Sequence, residues 1–423
     1  MPNLSALKPN LRLPLGPRRS ANLVGLDIQP GYVAAVQAHV NGGIVVERAA
    51  GAPLPPDTVR EGEVFDERAL GESLQDLFRD AGLGKRVRIG LANQRTVLRT
   101  LELPPVTDRK ELAAAVRFQA EDQVPMPLAG AVLDFHSLGT FDTPSGPRQR
   151  VIVVAAQREM VERLLRAVRH AGLRPEGVDL SAFALIRSLY RPGHGPTPAA
   201  TQGEASEGEP PLERVLYLNV GGLTNMAIAE GTLCRFTRVV GGGLEAMASE
   251  IAERRGIPLV DARALLAAFE LNAPAPAVLS EPAPSVPELP AVGAEESEID
   301  RSELDQQESA PPAETPVKAL EEASDADVRL VLENGIREIV GEVRNSLDFH
   351  RSQDGGGEVQ SVVLSGPALE LRGFSDALEA DLGIAVRREA VRFADGQDPS
   401  PAHPVSANSL AIATGLAAEE APR

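Results

Sequence analysis

The chain has 423 residues, enough for two to three domains of about 150 residues each. Hydrophobic residues make up 43% and aromatics 3%, with no Trp, so cores must come from Ala, Val, Leu and Ile, and tryptophan-stacking platforms are excluded. A net charge of −18 argues against general nucleic-acid binding, and single Cys234 and six scattered histidines argue against an internal disulfide, a thiolate-rich metal site or a zinc enzyme.

Residues 1–20 hold prolines and the cations Lys8, Arg12, Arg18 and Arg19 but no continuous apolar run. They are expected to form a disordered basic arm, not a signal peptide. No stretch approaches the roughly 18 apolar residues that span a bilayer, so a cytoplasmic location is expected. Val24–Ile28 and Val33–Val36 read as strands around a turn, and residues 44–48 as a third. Residues 67–81 put Leu70, Leu74, Leu77 and Phe78 on one helical face. Val87, Ile89 and Leu91 alternate like a strand. A helix begins near Asp108 and carries Leu112, Val116 and Ala120. Residues 151–156 form a buried strand. The next helix carries Met160, Leu164 and Val168 and stops at Gly172. Asp179 is expected to cap the helix that follows it.

In the second half, Val215–Val220, Met226–Ala229 and Cys234–Val239 read as strands, and residues 243–255 and 259–271 as helices. The longest helix is expected over 328–350, then a strand over 361–365, a helix over Phe374–Leu382 and a small Ala-rich helix over Ser406–Leu416. Two stretches read as linkers: 191–213, and an acidic Pro/Ala-rich insertion at 272–327. The insertion holds nine prolines and 14 acidic against 2 basic residues, which leaves only −6 for the rest of the chain. Such composition cannot bury enough apolar surface to offset its ordering entropy.

The halves repeat at one place. LDIQPGYVAAV (26–36) aligns without a gap to LNVGGLTNMAI (218–228), each a strand, a turn containing Gly and a second strand. A duplicated hairpin opening each half points to a two-lobed actin-like ATPase architecture, although isolated antiparallel hairpins are common. In that architecture the turns grip phosphates and a carboxylate orders Mg²⁺ through water. Gly241-Gly242-Gly243 before a helix and the strand–Ser365–Gly366 turn follow in the order it requires.

Several long blocks then resemble the PilM family of type IV pilus assembly proteins, relatives of the cell-division protein FtsA. They are residues 111–135, with Val124-Pro125-Met126-Pro127 at the place of a Pro-containing turn, then 151–189 with its AGL…P…VD pattern, FTRVVGGG (236–243) and 337–353. The resemblance implies an α/β, two-lobed actin-like ATPase fold with a small inserted FtsA-like subdomain at about 106–149 and a disordered acidic insertion. It divides the chain into an arm (1–20), a first lobe (21–190), a linker (191–213), a second lobe (214–400) and a C-terminal helix and tail (401–423). It implies a cytoplasmic scaffold, peripheral at the inner membrane through its partners. Those are a PilN-like inner-membrane protein, held by its N-terminal peptide, and other platform proteins. On this resemblance Asp27, Gln29, Gly31, Asn219, Gly221, Gly222, Thr224, Gly241, Gly242, Ser365 and Gly366 take the nucleotide positions, with Asp27 ordering Mg through water. Leu112, Val116, Phe118, Val132 and Asp134 take the peptide side.

The first loop departs from the family's D-I-G-S-S-S-[VI]-K, reading Asp27-Ile28-Gln29-Pro30-Gly31-Tyr32-Val33-Ala34. Pro30 has no N–H, Tyr32 is bulky and the lysine is Ala34. Asn219 replaces an aspartate and Pro367 a glycine. Removing one charge-assisted hydrogen bond to phosphate costs roughly 1.5–3 kcal/mol, so ATP and Mg binding are expected to be weakened or lost, without efficient ATP hydrolysis. An FtsA-like filament or cell-division protein is the alternative, although residues 406–423 lack the aromatic and basic residues of an amphipathic membrane helix. A small-molecule kinase fits less well, since none of Asp134, Asp179 and Glu270 stands out as a base.

Overall fold

The computed structural model describes residues 23–40, 43–191, 213–271, 317–353, 356–394, 400 and 403–418. The expected arm, most of the 191–213 linker, residues 272–316 of the acidic insertion and the tail beyond 418 lie outside the described residues.

The first lobe runs β1 (Leu23–Gln29), β2 (Tyr32–Val40), β3 (Ile44–Pro53), the short hairpin β4 (Val59–Arg60) and β5 (Glu63–Val64), α1 (Glu67–Asp80), β6 (Arg86–Leu91), β7 (Val97–Leu103), α2 (Arg109–Gln123), β8 (Ala131–Thr143), β9 (Gly146–Gln157), α3 (Arg158–His170), β10 (Arg174–Leu180) and α4 (Ser181–Leu189). The second runs β11 (Arg214–Val220), β12 (Thr224–Glu230), β13 (Leu233–Val240), α5 (Leu244–Arg255), α6 (Leu259–Ala268), α7 (Val317–Ser352), β14 (Ser361–Ser365), α8 (Phe374–Leu382) and β15 (Val386–Arg388). It closes with α9 (Ala411–Ala417), which returns towards the first lobe.

The duplication read from the two hairpins extends to whole sheets. One has the order β10-β6-β1-β2-β3 and the other β15-β14-β11-β12-β13. In each, the first three strands are antiparallel and the later two are parallel to the first. Leu70, Leu74 and Leu77 of α1 and Met160, Leu164 and Val168 of α3 cover one face of the first sheet. The stripe Val328, Leu332, Ile336, Ile339, Val343 and Leu347 of α7 packs on the outer face of the second.

Between the sheets lie α4 and α9. Small residues let them in. A Cβ on Gly25 of β1 would stand 1.9 Å from the Ala413 carbonyl oxygen, and one on Gly415 1.8 Å from that of Ala184. The Ala-rich terminal helix is thus buried throughout and locks the two lobes.

Caps follow the expected chemistry. Asp66 accepts from the N–H groups of Arg68 and Ala69 at the start of α1, and Asp108 from those of Lys110 and Glu111 at the start of α2. Gly172, with φ +74°, ends the α3 turn. Asp179 departs from expectation: it caps nothing and instead pairs with Arg187 of α4. The long helix begins at Val317, inside the stretch read as insertion, where Lys, Ala, Leu and Glu are strong helix formers. The small sheet, ordered β7-β9-β8, spans Val97–Gln157 and is wider than residues 106–149. Its helix α2 packs on Leu101, Leu103, Val151 and Val153. No helix among the described residues is long and apolar enough to cross a membrane.

Candidate functional site

The β1–β2 turn is Pro30-Gly31, with Gly31 at φ +86°. Pro then Gly at the two central positions is the pattern of a type II turn. The β11–β12 turn is Gly221-Gly222-Leu223. The two turns meet with no gap for a ligand between them at this point. A Cβ on Gly222 would lie 2.1 Å from the Pro30 carbonyl oxygen, and one on Gly221 2.5 Å from Gln29 Oε1 and 2.8 Å from the Tyr32 hydroxyl.

Gln29 makes the bridge. It is fully buried, its Nε2 donates to Asp27 Oδ2 at 2.8 Å, and its Oε1 accepts from the Leu223 N–H at 3.5 Å. Asp27 is itself 1% exposed. Burial raises its carboxyl from 3.8 to about 7, and the bond from Gln29 offsets only part of that rise. The carboxyl thus holds its proton to far higher pH than an exposed aspartate does. Burial also pushes the Tyr32 phenol well up.

Two donors of the second turn, the Gly221 and Leu223 N–H groups, are engaged within the protein. The Gly221 N–H donates to the Leu223 carbonyl, the Leu244 N–H at the start of α5 donates to the Gly221 carbonyl at 2.8 Å, and the Thr224 hydroxyl donates to the Gly242 carbonyl. Asn219 donates through Nδ2 to Ser365 Oγ at 3.0 Å, while its Oδ1 is buried with no partner among the described residues. Gly366, at φ +101°, abuts Val220, whose carbonyl oxygen a Cβ would meet at 2.4 Å. Gly241 faces Gln94, and Gly242 faces Glu338. The nucleotide residues inferred from the resemblance thus converge around the two turns.

Beside these turns lies a cavity of ≈ 350 Å³ between the lobes. Gly31, Tyr32, Leu266, Pro367 and Leu371 contribute largely apolar walls, and Glu245 and Arg263 contribute charge. The size sits at the small end of the range for ligand pockets. Glu245 and Arg263 form an ion pair over Gly31, and Arg263 Nη1 donates to the Leu54 carbonyl at 3.2 Å. The pair clasps α5 and α6 of the second lobe to the end of β3 in the first. Sequence reasoning missed it, because nothing local in α6 marks Arg263. The described residues contain no cluster of three or more His, Cys, Asp or Glu able to hold a metal ion.

The peptide-side residues do not share one surface. Leu112 and Val116 are buried in the subdomain core, because they are the helix positions that face the small sheet. They present no surface to a peptide. Phe118, two positions along α2 from Val116, is 77% exposed. Leu133 and Phe135 point to the α2 side, so strand alternation puts Val132 and Asp134 on the opposite face of edge strand β8, where both are half-buried.

Residues 25–194 match the family model described as type IV pilus assembly protein PilM. Among solved structures, one titled PilM-PilN type IV pilus biogenesis complex superposes with TM-score 0.65 at 24% identity, covering 94% of this chain and 97% of that chain. The ethanolamine utilization protein EutJ from Carboxydothermus hydrogenoformans gives TM-score 0.44 at 14% identity, with coverage of 93% and 88%. MreB5 of Spiroplasma citri bound to AMPPNP gives 0.43 at 10%, with coverage of 93% and 94%. The chain is thus similar to the pilus assembly protein PilM, and its fold is the actin-like one expected from the paired hairpins.

Proposed function

We propose that this protein is a scaffold of a type IV pilus assembly platform, one that holds the N-terminal cytoplasmic peptide of a PilN-like inner-membrane protein against its small subdomain. The likeness to PilM supports the pilus role. The observation that carries the scaffold reading, as opposed to an ATP-driven one, is Gln29 reaching from Asp27 across to the Leu223 N–H.

The residues present do not fit a Mg-triphosphate at the turns. Pro30 offers no N–H, the Gly221 and Leu223 donors are engaged, and Asp27 is buried, has its carboxyl pushed up by that burial and is already bonded to Gln29. No hydrolytic step is assigned. The protein's own side chains take the place of phosphate contacts and hold the lobes together. Among the described residues, edge strand β8 pairs only with β9, so an extended peptide has a row of backbone groups to join, with Val132 and Asp134 beside it.

The test is fluorescence anisotropy with a labelled N-terminal peptide of the PilN-like protein encoded in the same genome. Wild type is expected to bind, Val132→Asp to bind at least tenfold more weakly, and Phe118→Asp to bind like wild type. No binding by wild type would remove the scaffold assignment.

A further inference from the structure

We propose that the end of the first sheet opposite the meeting point of the lobes is a docking surface for an anionic phospholipid bilayer, formed by Arg48, Lys85, Arg86 and Arg174. These residues line a broad open cleft of ≈ 890 Å³. All four are exposed. The sheet's own register assembles them: parallel strands β6 and β10 start at the same level, so Arg86 and Arg174 are direct neighbours, and Lys85 precedes Arg86. Like charges on adjacent strands repel, and nothing in the core requires them there.

Compensation within the protein is incomplete. Glu176 pairs with Arg86 at 2.7 Å, and Glu47, also in the cleft, accepts from Gln37 at 3.3 Å and lies 3.0 Å from His39, so two carboxylates stand against the four cations. Arg48 donates to the Gly82 carbonyl and has no ion pair among the described residues. Lys85 and Arg174 have no side-chain ion pair among the described residues.

The second observation is where the chain enters. β1 begins at Leu23, the register partner of Arg86. Residues 1–22 therefore join the fold at this same end, and they carry Lys8, Arg12, Arg18 and Arg19 with no acidic residue. In a chain of net charge −18, the segment that enters the fold at this end is thus itself basic. A planar array of anionic headgroups matches an open basic face. The membrane contact is then direct, in addition to any made through a partner, and does not depend on the pilus reading.

The experiment is flotation of the full chain with vesicles of phosphatidylglycerol and phosphatidylcholine, against vesicles of phosphatidylcholine alone. Binding is expected to the first only and to weaken steeply with added salt. Lys85→Glu/Arg174→Glu is expected to bind at least tenfold more weakly, and Lys85→Gln/Arg174→Gln to fall between, with unchanged melting curves as the fold control. Four results would each overturn the proposal. One is wild type failing to float with anionic vesicles at low salt. A second is the double Glu variant binding like wild type while removal of residues 1–22 abolishes binding. A third is calorimetric binding of inorganic phosphate without vesicle binding. The fourth is a synthetic peptide of residues 272–316 binding this cleft while vesicles do not.

Discussion

The Gln29 amide donates to the buried Asp27 carboxyl at 2.8 Å while its carbonyl oxygen faces the N–H of Leu223, 194 residues further along the chain. One side chain thus takes up both the carboxylate and a backbone donor that a phosphate-binding cleft would need, and joins the lobes.

Replacing Gln29 should therefore weaken the fold more than a neutral buried substitution would. Gln29→Ala leaves Asp27 without its donor and the Leu223 N–H without its acceptor. A loss of about 1–3 kcal/mol is expected in urea unfolding. An effect below about 0.5 kcal/mol would show that the bridge does not contribute.

Asp27 should make stability fall with rising pH. Its folded value is raised from 3.8 to about 7, so between these values the folded state binds more protons than the unfolded state. The favourable contribution is fully present below about pH 3.8 and is lost as pH rises through about 7. Asp27→Asn keeps an acceptor for Gln29 and removes the titration. It is expected to be more stable than wild type at pH 8, by up to about 4 kcal/mol, with the gap closing towards pH 4. Unfolding free energies at both pH values check this.

Arg263→Ala should loosen the lobes locally. It leaves Glu245 without its guanidinium and the Leu54 carbonyl without its donor. Faster amide exchange is expected in residues 51–54 and 222–224, with α3 unchanged. Uniform acceleration across the chain would point to global destabilisation instead.

Val116→Ala and Phe118→Ala should part company. Val116 is fully buried against the small sheet, and its truncation is expected to cost about 1–3 kcal/mol. Phe118 is 77% exposed, so its truncation should stay within about 0.5 kcal/mol. Thermal or urea unfolding of the two variants separates these outcomes.

Local signals carry most of the fold. The paired hairpins announce the duplicated sheets, and the stripes of α1, α3 and α7 face the cores they imply. Strand β7 leaves no clean pattern because its apolar residues serve two surfaces: Leu101 and Leu103 face α2, while Leu98 packs towards the first lobe. Asp179 has the sequence position of a cap, but its partner Arg187 lies one strand–helix junction away. The odd residues of the first turn are visible in the sequence, yet what they touch is not. Gln29 to Leu223 and Arg263 to Leu54 cross the lobe boundary, and no periodicity or spacing encodes such a pairing. On the peptide side, helical periodicity cannot separate Val116 from Phe118 by role until the sheet beneath α2 is in place.

In the proposed function, the protein's own residues take the phosphate position, and calorimetric titration of the full chain with Mg·ATP tests this. No saturable heat is expected up to about 1 mM nucleotide, with peptide binding unaffected by ATP. Saturable binding in the micromolar range would contradict it, because the close approach of Pro30 to Gly222 and the Gln29 bridge would then have to open for ligand.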